Sequence, residues 1–245
     1  MEPRMALLLF AVTLPRLLPA PDHQHNDSFA RSDPPSSYAI LARDPLTGEY
    51  GVAAASHAPL IGINLEFLAA EVGGVVVLGG PYLQLNETVL TALRDGLAPD
   101  RAIAVGLAAD PDRERRQVLA LSPAGAAAFS GEQLTKQVNH QTGEYFVAAG
   151  HQLEGEAVVP AMAEAFSGAE GRLADRLLVA LVAGRDAGGE RDGERSAALL
   201  VVGPGAQFAT RDRIVDLRID YVPDDAVSAL TDLRARVDSV YEVLK

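Results

Sequence analysis

The pattern of hydrophobic and polar positions becomes that of a folded domain at residue 37. Residues 37–43 (SYAILAR) and 49–56 (EYGVAAAS) have the length and composition of short strands. Residues 44–48 (DPLTG) lie between them and contain Pro and Gly, which favour turns. The pattern therefore predicts a β-hairpin at the start of the domain. Residues 72–78 form an apolar run with two glycines and are predicted as a strand buried on both faces.

Helices and a second set of strands are predicted in the middle of the chain. Apolar residues share one face over residues 87–94, where Asn86 is the predicted cap, and Pro99 precedes a second helix over 100–109. Further strands are predicted over residues 117–121, 126–129 and 144–150. The middle of the chain is therefore expected to be rich in strands.

Helices precede strands in the second half of the chain. The predicted elements are two amphipathic helices over 155–166 and 172–185, strands over 196–202 and 214–220, and a terminal amphipathic helix over 223–244. Hairpins, rather than an alternation of strand and helix, predict antiparallel sheets, and the helix pairs predict helices that cover the sheets from outside. The expected fold class is α+β.

Composition and charge exclude several classes of protein. Lys and Arg number 21 against 33 Asp and Glu, so the formal net charge is −12 and a nucleic-acid backbone would be repelled. Cysteine is absent, which excludes thiolate metal sites, cysteine nucleophiles and disulfides. The longest apolar run, residues 5–14, is shorter than the roughly 20 residues that a membrane-spanning helix needs. We therefore expect neither nucleic-acid binding nor an integral membrane span.

The N-terminal segment resembles a secretory signal peptide. A charged start is followed by the apolar run and by small residues up to Ala20. We therefore predict a signal peptide over residues 1–20, a flexible Pro-rich linker over 21–36 and a single domain over 37–245. The composition, rich in Ala and Arg, is typical of a GC-rich bacterial genome. The expected location is secreted or periplasmic, with a cytoplasmic location as the alternative if the start codon is mis-assigned.

Few residues stand out as candidates for chemistry. Phosphate-binding glycine loops, the serine-hydrolase elbow and the helical zinc motif are all absent. His57, His140 and His151 lie far apart along the chain, so their spacing predicts neither a metal site nor a cofactor. Among these histidines His57 is the best candidate, because Ser56 and His57 end a predicted strand at a sheet edge, where side chains often line a site.

A charged, glycine-rich segment over residues 188–196 (GGERDGERS) has two interpretations. It is a solvated connection between a helix and a strand, or it recognises a polar ligand. In the second case Glu190 and Arg195 are the candidate binding residues, since arginine offers a rigid fork of donors and glycine permits close approach of the backbone.

Several blocks of the sequence, taken in order, resemble the domain of unknown function 1028 family. They are residues 37–52, 56–57, 110–117, 128–131, 140–143, 188–193, 196–198 and 215–220. The resemblance runs from about residue 37 to the end of the chain. It implies a fold similar to that of N-terminal-nucleophile hydrolases, in which two antiparallel sheets lie between helix layers in a four-layer αββα sandwich.

The resemblance also implies a site. By position Ser37 matches the residue that becomes the first of the mature chain in such hydrolases, so the bond from Ser36 to Ser37 would have to open. The freed α-amino group then serves as the base for the Ser37 hydroxyl. Arg43, Asp44, His57 and His140 match family positions and are expected to orient the substrate or the amine.

Departures from the family pattern leave the function open between two classes. A polar stretch of the family is apolar at residues 76–78, and His151, Glu190 and Arg195 replace the family's Asn, Asp and Gln. The first hypothesis is a hydrolase of amide or related acyl bonds that uses Ser37. The alternative is a non-catalytic domain that binds a small molecule or glycan, and a structural or interaction role is the third interpretation. We also expect a homodimer, because the apolar face of the C-terminal helix and the exposed sheet edges need cover.

Overall fold

The predicted first hairpin forms the centre of a six-stranded sheet in the computed structural model, which describes residues 35–80, 83–204 and 213–243. Strand β1 (Ser37–Arg43) pairs with β2 (Tyr50–Ser56) in a register that places Ser37 opposite Ser56. Ten strands and five helices are present in the described part of the chain. The predicted signal peptide and all of the predicted linker except its last two residues lie outside the described residues.

Two antiparallel sheets make up the centre of the molecule. The larger sheet has the order β10-β9-β2-β1-β8-β7. The four strands that flank the central hairpin are β7 (Asn139–Thr142), β8 (Phe146–His151), β9 (Ser196–Val202) and β10 (Arg213–Ile219). The smaller sheet has the order β3-β4-β5-β6, formed by β3 (Leu68–Ala69), β4 (Gly73–Leu78), β5 (Gln117–Ser122) and β6 (Gly125–Ser130). Neighbouring strands are antiparallel throughout both sheets.

Helices cover the outer face of each sheet. The smaller sheet packs against α1 (Leu83–Arg94) and α2 (Pro99–Leu107), and the larger one against α3 (Val158–Gly168), α4 (Leu173–Asp186) and α5 (Ala226–Val243). A third apolar core fills the space between the two sheets. The layers follow in the order helix, sheet, sheet, helix, so the predicted αββα sandwich is confirmed.

Successive side chains of β1 point to opposite faces of the sheet, so this strand contributes to two apolar cores. Ala39 and Leu41 face the core between the sheets, whereas Tyr38 and Ile40 face the helices. All four side chains are fully buried. Gly51 of β2 permits close packing of α4, because a Cβ atom there would lie 2.6 Å from Cδ1 of Leu177.

Two details differ from the sequence-based expectation. Asn86 was expected to cap a helix that starts at residue 87, but α1 begins at Leu83 and buries Asn86 within it. The reason is that Leu85, Val89 and Leu93 continue the apolar face one turn further back. Strands β3 and β7 were not predicted as elements, because β3 has only two residues and the largely exposed residues of β7 lack apolar alternation. No helix in the described part of the chain is long and apolar enough to cross a membrane.

Candidate functional site

Four polar side chains lie in a row across one end of the larger sheet. Ser37 of β1 pairs with Ser56 on one side and with His151 on the other, and Ser56 pairs with Ser196. All four belong to the face that packs on the smaller sheet, and each is at most 4% exposed. Their neighbours along the same face are apolar residues of the core between the sheets. The row is therefore a buried polar end of an otherwise apolar layer.

The carbonyl oxygen of Ser36 lies at the centre of this row. It accepts hydrogen bonds from the Ser37 hydroxyl at 2.7 Å and from the Ser56 hydroxyl at 2.9 Å. The backbone N–H of His57 donates to the same oxygen at 3.3 Å. Donors arranged around a carbonyl oxygen in this way stabilise the negative charge that develops there during acyl transfer. The carbonyl is that of the bond between Ser36 and Ser37.

The two described residues before Ser37 are held firmly in the site. Ser36 is 3% exposed, and its hydroxyl donates a hydrogen bond to the carboxylate of Glu190. The carbonyl oxygen of Pro35 accepts a hydrogen bond from Nε2 of His151 at 2.9 Å. Each polar group of these two residues that faces the site thus has its own partner.

Glu190 is a buried acidic group. Desolvation raises its pKa well above the ordinary value, and the nearby Glu194 carboxylate acts in the same direction. Hydrogen bonds from the Ser36 hydroxyl and from the backbone N–H of His57 oppose this rise. Its second oxygen, Oε1, has no hydrogen-bond partner among the described residues.

The backbone of Glu190 is fixed by its neighbours. Its N–H donates to Oε1 of Glu194 at 3.2 Å, and that oxygen also accepts the Tyr38 hydroxyl at 3.0 Å. Gly189 has φ of +58°, and a Cβ atom there would lie 2.1 Å from the same oxygen, so only glycine fits this approach.

The described residues contain no group of three His, Asp or Glu side chains that could hold a metal ion.

His151 is a neutral ring at pH 7. Burial lowers its pKa from 6.5 to about 4. A neutral imidazole carries one N–H, and the 2.9 Å contact with Pro35 assigns it to Nε2. Nδ1 then lies 3.4 Å from Oε1 of Gln117, the long contact expected when no proton stands between two acceptors.

Gln117 connects the two sheets at this end. It lies fully buried in β5, and its amide Nε2 has the Ser130 hydroxyl at 2.9 Å and the carbonyl oxygen of Asn139 at 3.0 Å. The Ser130 hydroxyl in turn lies 2.9 Å from Nδ1 of the exposed His140. A chain of hydrogen bonds therefore runs from the surface at His140 through Ser130 to Gln117, which lies beside His151.

A cavity of about 130 Å³ lies beside the row. Ser37 and Ser56 line one side of it, Gly79 and Gly80 line another, and Pro35 is also in its wall. The volume is smaller than the roughly 300 Å³ of the smallest usual ligand pockets. The space beside Ser37 is therefore too small for a ligand of the usual size.

A buried ion pair holds the glycine turn that lines this cavity. Nη1 of Arg116 donates to the Gly79 carbonyl at 2.6 Å, and Nε pairs with Asp110 at 3.1 Å. Gly79 has φ of +93°, and a Cβ atom there would lie 2.3 Å from a backbone oxygen of Arg115. The turn thus requires glycine and depends on Arg116 for its position.

The structure brings some predicted site residues together and separates others. Ser37, Ser56 and Glu190 meet around Ser36, as described above. His57 contributes its backbone N–H, while its ring Nδ1 lies 3.1 Å from the carbonyl of Gly193. Arg195 donates its backbone N–H to the Ser56 carbonyl at 2.9 Å, and its side chain has no polar partner in the described chain.

Arg43 and Asp44 lie at the opposite end of β1. The guanidinium of Arg43 stands over the ring of Tyr145 at 5.2 Å. The carboxylate of Asp44 accepts the N–H of Leu46 at 2.8 Å within the turn, and lies 3.8 Å from Arg176. Neither residue has a polar contact with the row of Ser37.

Sequence reasoning did not assign His151 or Gln117 to the site. A usable signal existed, because the ends of neighbouring antiparallel strands meet at one sheet edge. Ser37 begins its strand, Ser56 and His151 end theirs, and Ser196 begins the next. Polar residues at alternating starts and ends of apolar strands therefore mark a common edge.

Comparison with known proteins gives a family but no reaction. Residues 37–230 match the model of a family of unknown function, DUF1028. The crystal structure of protein SPO2555 from Silicibacter pomeroyi, described with the same family, is similar with a TM-score of 0.74 and 34% identity. The match covers 82% of this chain and 88% of that one. No curated protein matches the chain.

Proposed function

We propose that this chain, which belongs to DUF1028, a family of unknown function, is a hydrolase of amide or related acyl bonds. The proposal rests on the geometry of the site. Ser37 is the proposed nucleophile. The observation that carries the proposal is the carbonyl of Ser36, which lies within hydrogen-bond distance of the Ser37 hydroxyl and of two further donors. The two further donors would stabilise the oxyanion of an acyl transfer, and the Ser37 hydroxyl lies beside the same carbonyl group.

The proposed reaction begins once the bond between Ser36 and Ser37 has opened. The freed α-amino group of Ser37, with an ordinary pKa near 8, takes the proton of the hydroxyl while Oγ attacks the substrate carbonyl. The N–H of His57 and the hydroxyl of Ser56 bind the oxyanion. The amine of the substrate leaves with the proton, and water then hydrolyses the ester on Ser37 and releases a carboxylic acid.

The uncut chain is an inactive precursor in this scheme. The Ser37 nitrogen lies in a peptide bond and cannot act as a base, and Ser37 itself is only 4% exposed. Departure of Pro35 would remove part of the wall of the small cavity beside Ser37. Opening of the chain therefore supplies both the base and the entrance.

A larger cavity supports the second candidate function, a non-catalytic domain that binds a small molecule. It measures about 860 Å³ and lies between β10 and α5, with Arg172, Arg213 and Arg234 among its lining residues. This volume falls within the usual range for ligand sites. Glu49, at the far end of β2 from Ser56, also lines it, so this cavity is separate from the row of Ser37.

The test compares chains that begin at Ser37 with the uncut chain on a panel of amide and ester substrates. We expect turnover only from the chain with a free Ser37, and a loss of about 10³-fold or more in Ser37→Ala. Ser196→Ala is the matched control, because Ser196 stands in the same row but bonds to Ala58 instead of Ser36. Unchanged turnover in Ser37→Ala rules out the nucleophile, and inactivity of every form favours the binding domain.

A further inference from the structure

The uncut chain occupies its own site with Pro35 and Ser36, and this occupancy identifies a substrate class. We propose that Glu190 and His151 form the acyl pocket of the hydrolase, selective for amides of N-acylated serine and similar β-hydroxy acids. The inference rests on the proposed function, since it names what that site would cleave. It comes from the contacts of the two residues that precede the nucleophile.

Ser36 stands where the acyl group of a substrate would stand. Its carbonyl oxygen lies among the donors from Ser37, Ser56 and His57. An acyl group carried on Oγ of Ser37 leaves that oxygen without a hydrogen, so its carbonyl oxygen must lie near the two remaining donors, the Ser56 hydroxyl and the His57 N–H, for these to stabilise it. The side chain of Ser36 therefore points to the space that the substituent of a substrate acyl group would fill.

Glu190 recognises a hydroxyl in that space. The hydroxyl of Ser36 donates to Glu190, and both residues are almost completely buried, at 3% and 4% exposure. Oε1 of the same carboxylate has no partner among the described residues, so the pocket has capacity for a further donor. A substrate that lacks the hydroxyl leaves the buried carboxyl group of Glu190 with only the backbone N–H of His57 as a donor, and the loss of one donor to a buried group is costly. We expect discrimination of about tenfold or more against such a substrate.

His151 recognises the next carbonyl along the acyl chain. Its Nε2 donates to the oxygen of Pro35, which belongs to the amide on the amino side of Ser36. An acyl group with an amide at this position keeps the hydrogen bond, whereas a simple hydroxy acid loses it. The two contacts together define an N-acylated seryl group rather than any hydroxylated acid.

Binding can be tested separately from catalysis. The probes are acetyl-prolyl-seryl and acetyl-prolyl-alanyl amides of 7-amino-4-methylcoumarin. Their dissociation constants are measured on the Ser37→Ala form that begins at residue 37, which cannot turn them over. We expect the seryl probe to bind about tenfold or more tightly than the alanyl probe.

Turnover of the same probes by the chain that begins at Ser37 tests the role of Glu190. We expect kcat/KM to favour the seryl probe, the preference to vanish in Glu190→Leu and part of it to remain in Glu190→Gln. Asp192→Asn is the control, because it removes an exposed carboxylate that acts on Glu190 through its charge but has no contact with Ser36. The preference should persist in that variant.

The outcomes separate the pocket from the reaction. No turnover of any substrate, together with tighter binding of the seryl probe, contradicts the proposed function and supports the pocket. Equal binding and equal turnover of the two probes overturn the pocket and leave the hydrolase intact. An equal loss for both probes in the Glu190 variants also overturns it, because Glu190 would then act on the Ser37 amine instead of on the acyl group.

Discussion

The two ends of the central hairpin carry rows of side chains of different kinds. At one end His151, Ser37, Ser56 and Ser196 are buried and uncharged, and three donors converge on one carbonyl oxygen. At the other end Arg43, Tyr50, Val202 and Arg213 stand side by side in the same register. There Arg213 pairs with the carboxylates of Glu66 and Asp216, which are partly exposed.

The difference comes from what covers each row. The first row faces the second sheet, where Gln117 and the turn at Gly79 close over it. The second row lies about 20 Å away, six residues further along β1. There Arg213 pairs with partly exposed carboxylates and Arg43 stands over the ring of Tyr145. Groups of the first row must find hydrogen bonds inside the protein, so their geometry is fixed. The partly exposed ion pairs of the second row contribute little to stability, because water and salt screen them.

The largest effect on stability is expected from Arg116, the buried charged residue that holds the Gly79 turn over the first row. Arg116→Met removes the partner of Asp110, whose side chain is completely buried, and frees the Gly79 carbonyl. We expect a loss of about 3–5 kcal/mol in the free energy of unfolding, because an unpaired buried carboxylate remains. Urea denaturation of the variant and the parent chain measures it.

The matched control for this prediction is Arg101→Met. Arg101 lies 3.9 Å from Asp100, and both side chains are at least 70% exposed. Exposed pairs of this kind contribute little, so no measurable change is expected. Equal losses in the free energy of unfolding of the two variants would contradict the prediction, because the buried pair of Arg116 and Asp110 would then contribute no more than an exposed one.

The next effect is a dependence of stability on pH. The pKa of His151 is about 4 in the folded chain against 6.5 when unfolded, so between these values the unfolded chain binds an extra proton. Stability therefore falls as the pH falls through this window, by up to about 3 kcal/mol from this residue. In His151→Gln that part of the loss should disappear.

Urea titrations of the uncut parent and variant at pH 7, 5.5 and 4.5 check this prediction. Carboxylates that titrate in both proteins cancel in the difference between them. A difference that widens towards neutral pH, in favour of the parent, is the expected result. Parallel curves would mean that His151 gains a proton as easily in the folded chain as in the unfolded one.

A smaller effect is expected from the amide that joins the two sheets. Gln117→Leu keeps the size of the side chain but removes the donor to Ser130 and to the Asn139 carbonyl. Leaving these acceptors unpaired should cost about 1–3 kcal/mol. The nuclear magnetic resonance signal of the His140 ring should also shift, because its contact Ser130 loses a partner. An unchanged His140 signal would contradict the hydrogen-bond chain.

Local pattern was sufficient to predict the helices and eight of the ten strands, because each of these has one or two apolar faces, whereas β3 and β7 were not predicted. Both ends of β9 (Ser196–Val202) were predicted correctly, for example, since an apolar run lies between charged and glycine-rich loops. The site was harder to predict, because it depends on which strands are neighbours. Strand β8 pairs with β1 across more than 100 residues of chain, and only that pairing brings His151 beside Ser37. The same geometry separates Arg43 from Ser37, although they share a strand.

The smallest effect on stability is expected in the second row. Arg43→Met keeps the aliphatic stem and removes the cation above the ring of Tyr145, at 5.2 Å from its centre. A partly exposed contact of this type contributes little, so the midpoint of thermal unfolding should change by about 2 °C or less. Turnover by the chain that begins at Ser37 should stay the same, because Arg43 has no contact with the first row. A large fall in kcat/KM at unchanged stability would mean that the substrate reaches along β1 from one row to the other.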